Sequence, residues 1–439
     1  MKPLFALAIV LVVLSTGTLK LSADVAKVPA FPDAEGFGAN SQGGRGGRVL
    51  FVENLNDSGP GSLRAAVEAK GPRYILFKVS GIIELEKPLE CRRPFCTIAG
   101  QSAPGDGVCL KNFEFVVRTH DVVVRYLRFR PGDEPAKKLK ERGRAFQPDA
   151  VTISAPARDV ILDHCSASWS TDETCTVSGA GVTGITVQWC IISESLNEAN
   201  HLKGPHGYGS LIRTNGDVTY HHNLYAHHRT RCPRPGTYGD GSVLFDFRNN
   251  VVFDGNGYSA EDPLQMNYVG NYIRKPNGAA FAVGGDKTVI YQTANFQEDA
   301  GAKNDDFWRL ITKARPHNKR DNPFEVATVT TQTAAEAYES VLELAGATLP
   351  KRDAVDARVV AEVRSGKVGL INSQKDVGGW PRYRSTKAAK DTDNDGMPDA
   401  WEMEHGFNVK KDDHLDDADD DGCPNLEEFL NDTDPQKAG

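Results

Sequence analysis

From Tyr74 onward the chain is a succession of short β-type runs. Apolar residues alternate with polar ones or run together, and each run stops at Gly, Asn, Asp or Ser. The runs include YILFKVSGIIEL, DVVVRYLRFR, DAVTIS, DVILDHCSAS, GITVQWCIIS, DVTYHHNLYA, SVLFDFRNNVVFD and LQMNYVGNYI, with almost no amphipathic helix pattern between them. Their starts recur about every 22 to 38 residues, the range of stacked repeats. One such unit cannot bury its own apolar face, whereas units piled coil on coil can. The pattern predicts an all-β chain, a right-handed parallel β-helix with a continuous core and one outer sheet free to bind a long polymer. An antiparallel sandwich fits less well, because two-residue Asn-Gly connections between paired runs are missing. Asn223, Asn249, Asn250 and Asn271 fall at turns between runs, where stacked side-chain amides can bond along the axis.

The pattern changes towards the end of the chain. Past Val283 the β signal fades, and Thr333 to Ala345 reads as an amphipathic helix ended by Gly346, with a second helix in KRDAVDARVVAEVRSG. Both are expected in a tail that covers the open end of the β-helix. Beyond Ser385 an acidic segment carries two loops with oxygens at positions 1, 3, 5, 9 and 12 and Gly at 6. The first uses Asp391, Asp393, Asp395, Asp399 and Glu402; the second uses Asp417, Asp419, Asp421, Asn425 and Glu428. That is the spacing a hard cation needs, so Ca²⁺ is expected in both, with Trp401, Phe407, Leu426 and Phe429 as a small core. The units are a leader over 1–23, a β-helix over 24–290, a helical tail over 291–385 and a calcium-loop module over 386–439.

Composition narrows the function. The leader has Lys2, an apolar run from Leu4 to Leu14 and small residues near Ala23, the form of a secretory signal and too short to span a bilayer. Export is expected, without a membrane span. A net charge of −8 over 439 residues argues against a nucleic-acid partner. Of the eight cysteines, Cys91 and Cys96 flank a tight turn and are the pair most easily joined, whereas Cys165, Cys175, Cys190 and Cys232 read as small buried residues. The glycine-rich GGRGG lacks the Lys-Ser/Thr of a phosphate loop.

Against that acidic background, Arg229, Arg231 and Arg234 fall within six residues of one loop, and planar guanidiniums suit carboxylates. Upstream, Asp149, Asp163 and Asp172 with Glu173 open or close β runs; stacked coils would bring them to one face, able to share a cation. Cations on one wall of a groove and a metal site on the other suit a chain of uronic acids. A glycoside hydrolase would need two carboxylates flanking the bond, and adjacent Asp172 and Glu173 would face opposite ways on a strand. The pairs His221-His222 and His227-His228 match no zinc spacing.

GSLRAAV, TIAGQSAPGDGV, DAVTIS, ILDHCSASWSTDE, VTYHHNLYAHHRTRCPR and FRNNVVF together resemble the pectate lyases, polysaccharide lyases built on a right-handed parallel β-helix. The resemblance runs from about Phe31 to Asn277 and implies a secreted, monomeric enzyme that cleaves polygalacturonate by calcium-assisted β-elimination. It implies Arg231 as the base that removes the C5 proton, Lys203 in support, and Ca²⁺ at Asp149 and Asp172; Asp163 is expected as a further metal ligand from its place in the acidic set, not from the resemblance. A second family Arg falls on Gly236, leaving Arg234 to take that part, and two further calcium positions fall on Gln147 and Thr176. Arg229, His222 and His228 are expected on the substrate side, with His227 or His228 as a milder base. Non-catalytic binding of a polyuronide is the alternative reading.

Overall fold

The computed structural model describes residues 28–199, 201–239 and 241–438, in which the β runs are the strands of a parallel β-helix. A first sheet of 11 strands runs from Arg48–Val52 to Lys319–Arg320. A second, of 9, runs from Gly81–Glu84 to Phe296–Gln297. The third face has 6 strands, from Leu89–Cys91 to Arg234–Thr237, and is continued by 3 more that end at Ile311–Thr312. Neighbouring coils pair in parallel, so equivalent residues stack: Val151 on Cys175 and Ile153 on Val177 inside, Thr152 on Thr176 outside. Alternation thus becomes a continuous core on one side and an accessible polar sheet on the other.

The coils continue past residue 290, to Arg320. The last ones contribute strands of only two residues, such as Ile311–Thr312, too short to show any period in the sequence. Turns between the first and second sheets are held by the expected amide stack. Asn223 donates to Asn250 Oδ1 at 2.9 Å, Asn250 to Asn271 at 3.3 Å, and Asn271 to Asn295 at 2.9 Å. Asn249 stands outside the stack and donates instead to the Gly270 and Gln332 carbonyls. Asn250→Ala would strip buried partners from the Asn223 amide and the Tyr220 carbonyl. At about 1–3 kcal/mol each, a loss of roughly 2–6 kcal/mol is expected in urea unfolding; a variant as stable as the parent would show the stack to be dispensable.

Six α-helices accompany the coils among the described residues. α1 (Leu63–Glu68), capped by Ser62, places Leu63 and Val67 in the core at the first coils. α2 is Glu134–Glu141. α3 (Ala334–Leu344) and α4 (Ala354–Ser365) lie along the flank of the solenoid, not over its open end. The reason is apolar surface: Ile191, Leu224, Ala226, Val251 and Phe253 of the second sheet meet Val341, Leu342, Val359 and Val363. Arg130, fully buried, is paired with Asp353 and Asp356 and fixes the start of α4. α5 (Asp399–His405) and α6 (Asn425–Asn431) belong to the acidic module, which docks on the first coils. There Met397 and Leu426 pack on Tyr74 and Leu76, Tyr74 Oη donates to Glu427 at 2.7 Å, and Arg45 pairs with Glu427 at 2.6 Å.

Cys91 and Cys96 are free thiols in the core, like the other buried cysteines. Among the described residues no helix is long and apolar enough to cross a membrane. The leader over 1–23 lies outside them.

Candidate active site

The polar side of the third sheet carries the site. Glu173, Tyr208 and Thr230 pair in parallel on consecutive coils at the end of this sheet. One coil earlier, Asp149 Oδ1 accepts the Glu173 backbone N–H at 3.1 Å. One residue after Thr230, the Arg231 guanidinium pairs with the Glu173 carboxylate and lies 4.1 Å from the centre of the Tyr208 ring. Arg231 holds φ at +65°, a left-handed conformation costly for a long side chain and sustained here by the stacked coils. Asp149, Asp172 and Arg231 therefore stand along one face, linked through Glu173.

Carboxylates crowd this face. One oxygen each from Asp149, Asp172 and Glu173 lie within 4.8 Å of one another. Asp172 and Glu173 converge because Asp172 sits at a bend and Glu173 in a single bridge outside any strand, where strand parity does not apply. Burial, with Asp172 and Glu114 nearby, raises the Asp149 carboxyl well above its ordinary range. Burial, with Glu90 and Asp172 adding to it against the pull of Arg118, raises Glu114 to about 6. Glu114 was missed in the sequence, since FEFVV carries no turn or motif signal. An all-oxygen set carrying repelling charges fits a hard divalent cation, and Thr176, beside Thr152 in register, adds a hydroxyl.

Cations line the same face farther along. Arg234 pairs with Glu261 at 2.6 Å, and Arg213 reaches that carboxylate at 3.4 Å. Arg213 and Glu261 were not singled out in the sequence either. Arg229 is exposed at the rim and donates to the Pro205 carbonyl at 3.2 Å. Lys203 is exposed on the neighbouring loop.

No protein-family profile matches the sequence. A probable pectate lyase C from Aspergillus flavus is 36% identical over 411 residues, covering 88% of this chain and 90% of that protein. One from Aspergillus fumigatus is 35% identical over 410 residues, covering 89% and 90%. The chain belongs to the pectate lyase family. It is a polysaccharide lyase. Solved structures agree in fold: the cedar pollen allergen jun a 1, at TM-score 0.52 and 19% identity, covers 71% of this chain and 92% of its own. A pectate lyase from Bacillus sp. N165 in complex with trigalacturonate has TM-score 0.50 at 13% identity, covering 71% and 98%.

Several residues expected at the site stand elsewhere. Asp163 ends a first-sheet strand, in register with Arg125, and is fully buried. Burial would raise its carboxyl, but His164 and Arg125 outweigh that and hold it well below the usual range. It is a structural ion-pair member, remote in register from Asp149. His222 stacks on Trp189 at 4.3 Å, at a left-handed corner that also stacks Tyr126 and His164. Burial lowers it to about 4, and it faces Gln332 of the tail. His228 is fully enclosed between the Ser195 hydroxyl and the Ile192 carbonyl, which braces the loop before Arg229 but denies it to substrate. His227 is held by Asp254 and by Glu362 of α4.

In the acidic module, Asp391, Asp393 and Asp395 gather in one group, and Asp395 joins Glu402 and Asp413 in a buried one. Both oxygens of Glu402 and of Asp393 are buried without a hydrogen-bond partner, as is Asp413 Oδ1. These orphaned oxygens fit a hard cation. Asp399 departs from the expectation: Lys390 and Thr392 take its oxygens, and Asp413, outside the loop pattern, supplies the carboxylate there. In the second loop Asp421 groups with Glu428, Asp417 accepts the Gly422 N–H, Asp419 accepts the Asp421 N–H, and Asn425 Oδ1 is buried without a partner.

Proposed function

We propose that this protein is exported and cleaves (1→4)-α-D-galacturonan by calcium-assisted β-elimination, leaving a 4,5-unsaturated end. The observation that carries the reading is the succession Asp149, Glu173, Tyr208, Arg231 on adjacent coils, which sets a cation-fitting carboxylate group beside a guanidinium on an open face. The names of the relatives and the trigalacturonate-bound neighbour support the substrate class. The apolar run from Leu4 to Leu14 supports export.

Asp149, Asp172 and Glu173 would hold the groove Ca²⁺, which when bound supplies positive charge that eases the charge developing at the substrate carboxyl. The chain's own residues do the rest. Arg234 and Arg213 hold uronate carboxylates through planar forks, and Lys203 and Arg229 do so at the rim. The Arg231–Glu173 pair opens, and Arg231 takes up the C5 proton as the base. The C4–C5 double bond forms as the C4–O bond breaks, and the departing glycosidic oxygen takes a proton from water. A set of cations spaced along the face suits de-esterified pectate over its methyl ester. The two loops of the end module would hold Ca²⁺ structurally, with Asp413 as an added ligand.

The test is incubation of the purified protein with polygalacturonate and Ca²⁺, following the ultraviolet absorbance of unsaturated uronides. A rising chromophore is expected. New reducing ends without it would make the protein a hydrolase, and retention on the polymer with neither would make it a binding protein.

A further inference from the structure

The loop between the second and third sheets brings two histidines onto the Asp172 side of the groove. His201 Nε2 lies 3.4 Å from Asp172 Oδ2, and His206 Nε2 lies 3.7 Å from Asp172 Oδ1. The two imidazoles pack face to face with centroids 3.3 Å apart, so the same nitrogen of each addresses a different oxygen of one carboxylate. Their side chains are 1% and 8% exposed, whereas Asp172 is 26% exposed towards the groove. The Gln147 side-chain amide touches His201 Nε2, and turning that amide over presents its oxygen there.

We infer that Asp172, His201 and His206 form a second cation site, selective for a divalent transition metal, with Gln147 as a further oxygen donor. Two imidazole nitrogens and one carboxylate suit Zn²⁺, Mn²⁺ or Co²⁺, while Ca²⁺ takes oxygen almost exclusively. One ligand atom from each of the three residues lies within 4.8 Å of the others, close enough to meet on one ion. His206 is already set for it. Its Nδ1 bonds the Gly204 carbonyl at 3.1 Å, which fixes the proton there and leaves the Nε2 lone pair free. His201 is not: its Nδ1 accepts the Lys203 N–H at 3.1 Å. An ion on Nε2 moves the ring proton to Nδ1 and breaks that bond, so occupancy shifts the turn that carries Lys203. The exposed side of Asp172 leaves a coordination position open to the groove, where water or a uronate oxygen fits. Asp172 thereby becomes the carboxylate common to an oxygen-only site and a nitrogen-rich one.

The probe is Co²⁺, added to the full chain with only enough Ca²⁺ to fill the end-module loops, because Ca²⁺ in the groove would compete for Asp172. A saturable visible absorption band reaching one equivalent is expected, displaced by Zn²⁺. His206→Ala should weaken Co²⁺ binding at least about tenfold, as loss of one ligand does. The double variant His201→Ala/His206→Ala should abolish it with circular dichroism and Tm unchanged. Asp149→Asn, which touches only the oxygen set, should keep the band. Absence of a saturable band overturns the inference, as does a band that survives the double variant; one with thiolate charge-transfer character would belong to Cys423. If the double variant does not fold, His206→Ala alone decides. The readout is metal absorption, so it stands apart from whether galacturonan is cleaved.

Discussion

Replacing Arg231 with alanine is expected to lower kcat on polygalacturonate by about 10²–10⁴-fold, the range that a positioned acid or base contributes. The fold should survive. The guanidinium lies on the groove surface and its neighbours Cys232 and Pro233 do the packing, so the variant should stay folded, with a Tm lowered by the Glu173 charge left unpaired and recovered on adding Ca²⁺. Arg231→Lys should fail nearly as badly: an ammonium on a different stem neither lies over Tyr208 in the same plane nor presents a fork to Glu173. The check is initial rate of chromophore formation beside a thermal melt. A variant with parental turnover and intact structure would take Arg231 out of the base role and leave binding as the face's purpose.

Removing divalent cations should have a still broader effect. Glu402 is fully buried with both oxygens unpaired, and Asp393 and Asp413 add further orphaned oxygens. Each uncompensated buried carboxylate costs several kcal/mol, more than the small core of Met397, Leu426, Trp401 and Phe429 can offset. Chelation is therefore expected to unfold 391–438, raise amide exchange there to the rate of an open chain and abolish activity together. Adding Ca²⁺ back should restore both. Asp149→Asn separates the two effects, because it should lose activity at ordinary Ca²⁺ while the module stays protected. Exchange in 391–438 that ignores chelator would end the claim that ions hold the module.

Much of this is legible in the sequence, for a physical reason. Stacking repeats one local pattern coil after coil, so run spacing alone points to the solenoid, and the turn asparagines at 223, 250 and 271 fall into a single column. What the sequence hides is lateral placement. Asp149 and Asp163 look alike as acids beside β runs, yet register sets Asp163 opposite Arg125 and leaves Asp149 on the third-sheet face. Glu114, Arg213 and Glu261 lie in strands or loops without a motif, and only the pairing of coils brings them to the groove. His201 and His206 sit in a connecting loop whose path no periodicity encodes. Asp413 reaches the first loop from a charged run that reads as solvated tail. The flank position of α3 and α4 followed from which outer surface was apolar, a property of several coils at once.

The docking of Glu427 against Tyr74 and Arg45 joins residues 353 and 382 positions apart. Contacts of that span dominate folding time, because loop closure must precede any gain from the contact. A growing chain can therefore wind its coils early, but the outer surface of the earliest ones stays bare until nearly the whole polypeptide has been made. If the acidic loops take the Ca²⁺ proposed for them, that last step would wait for the ion as well as for the end of synthesis.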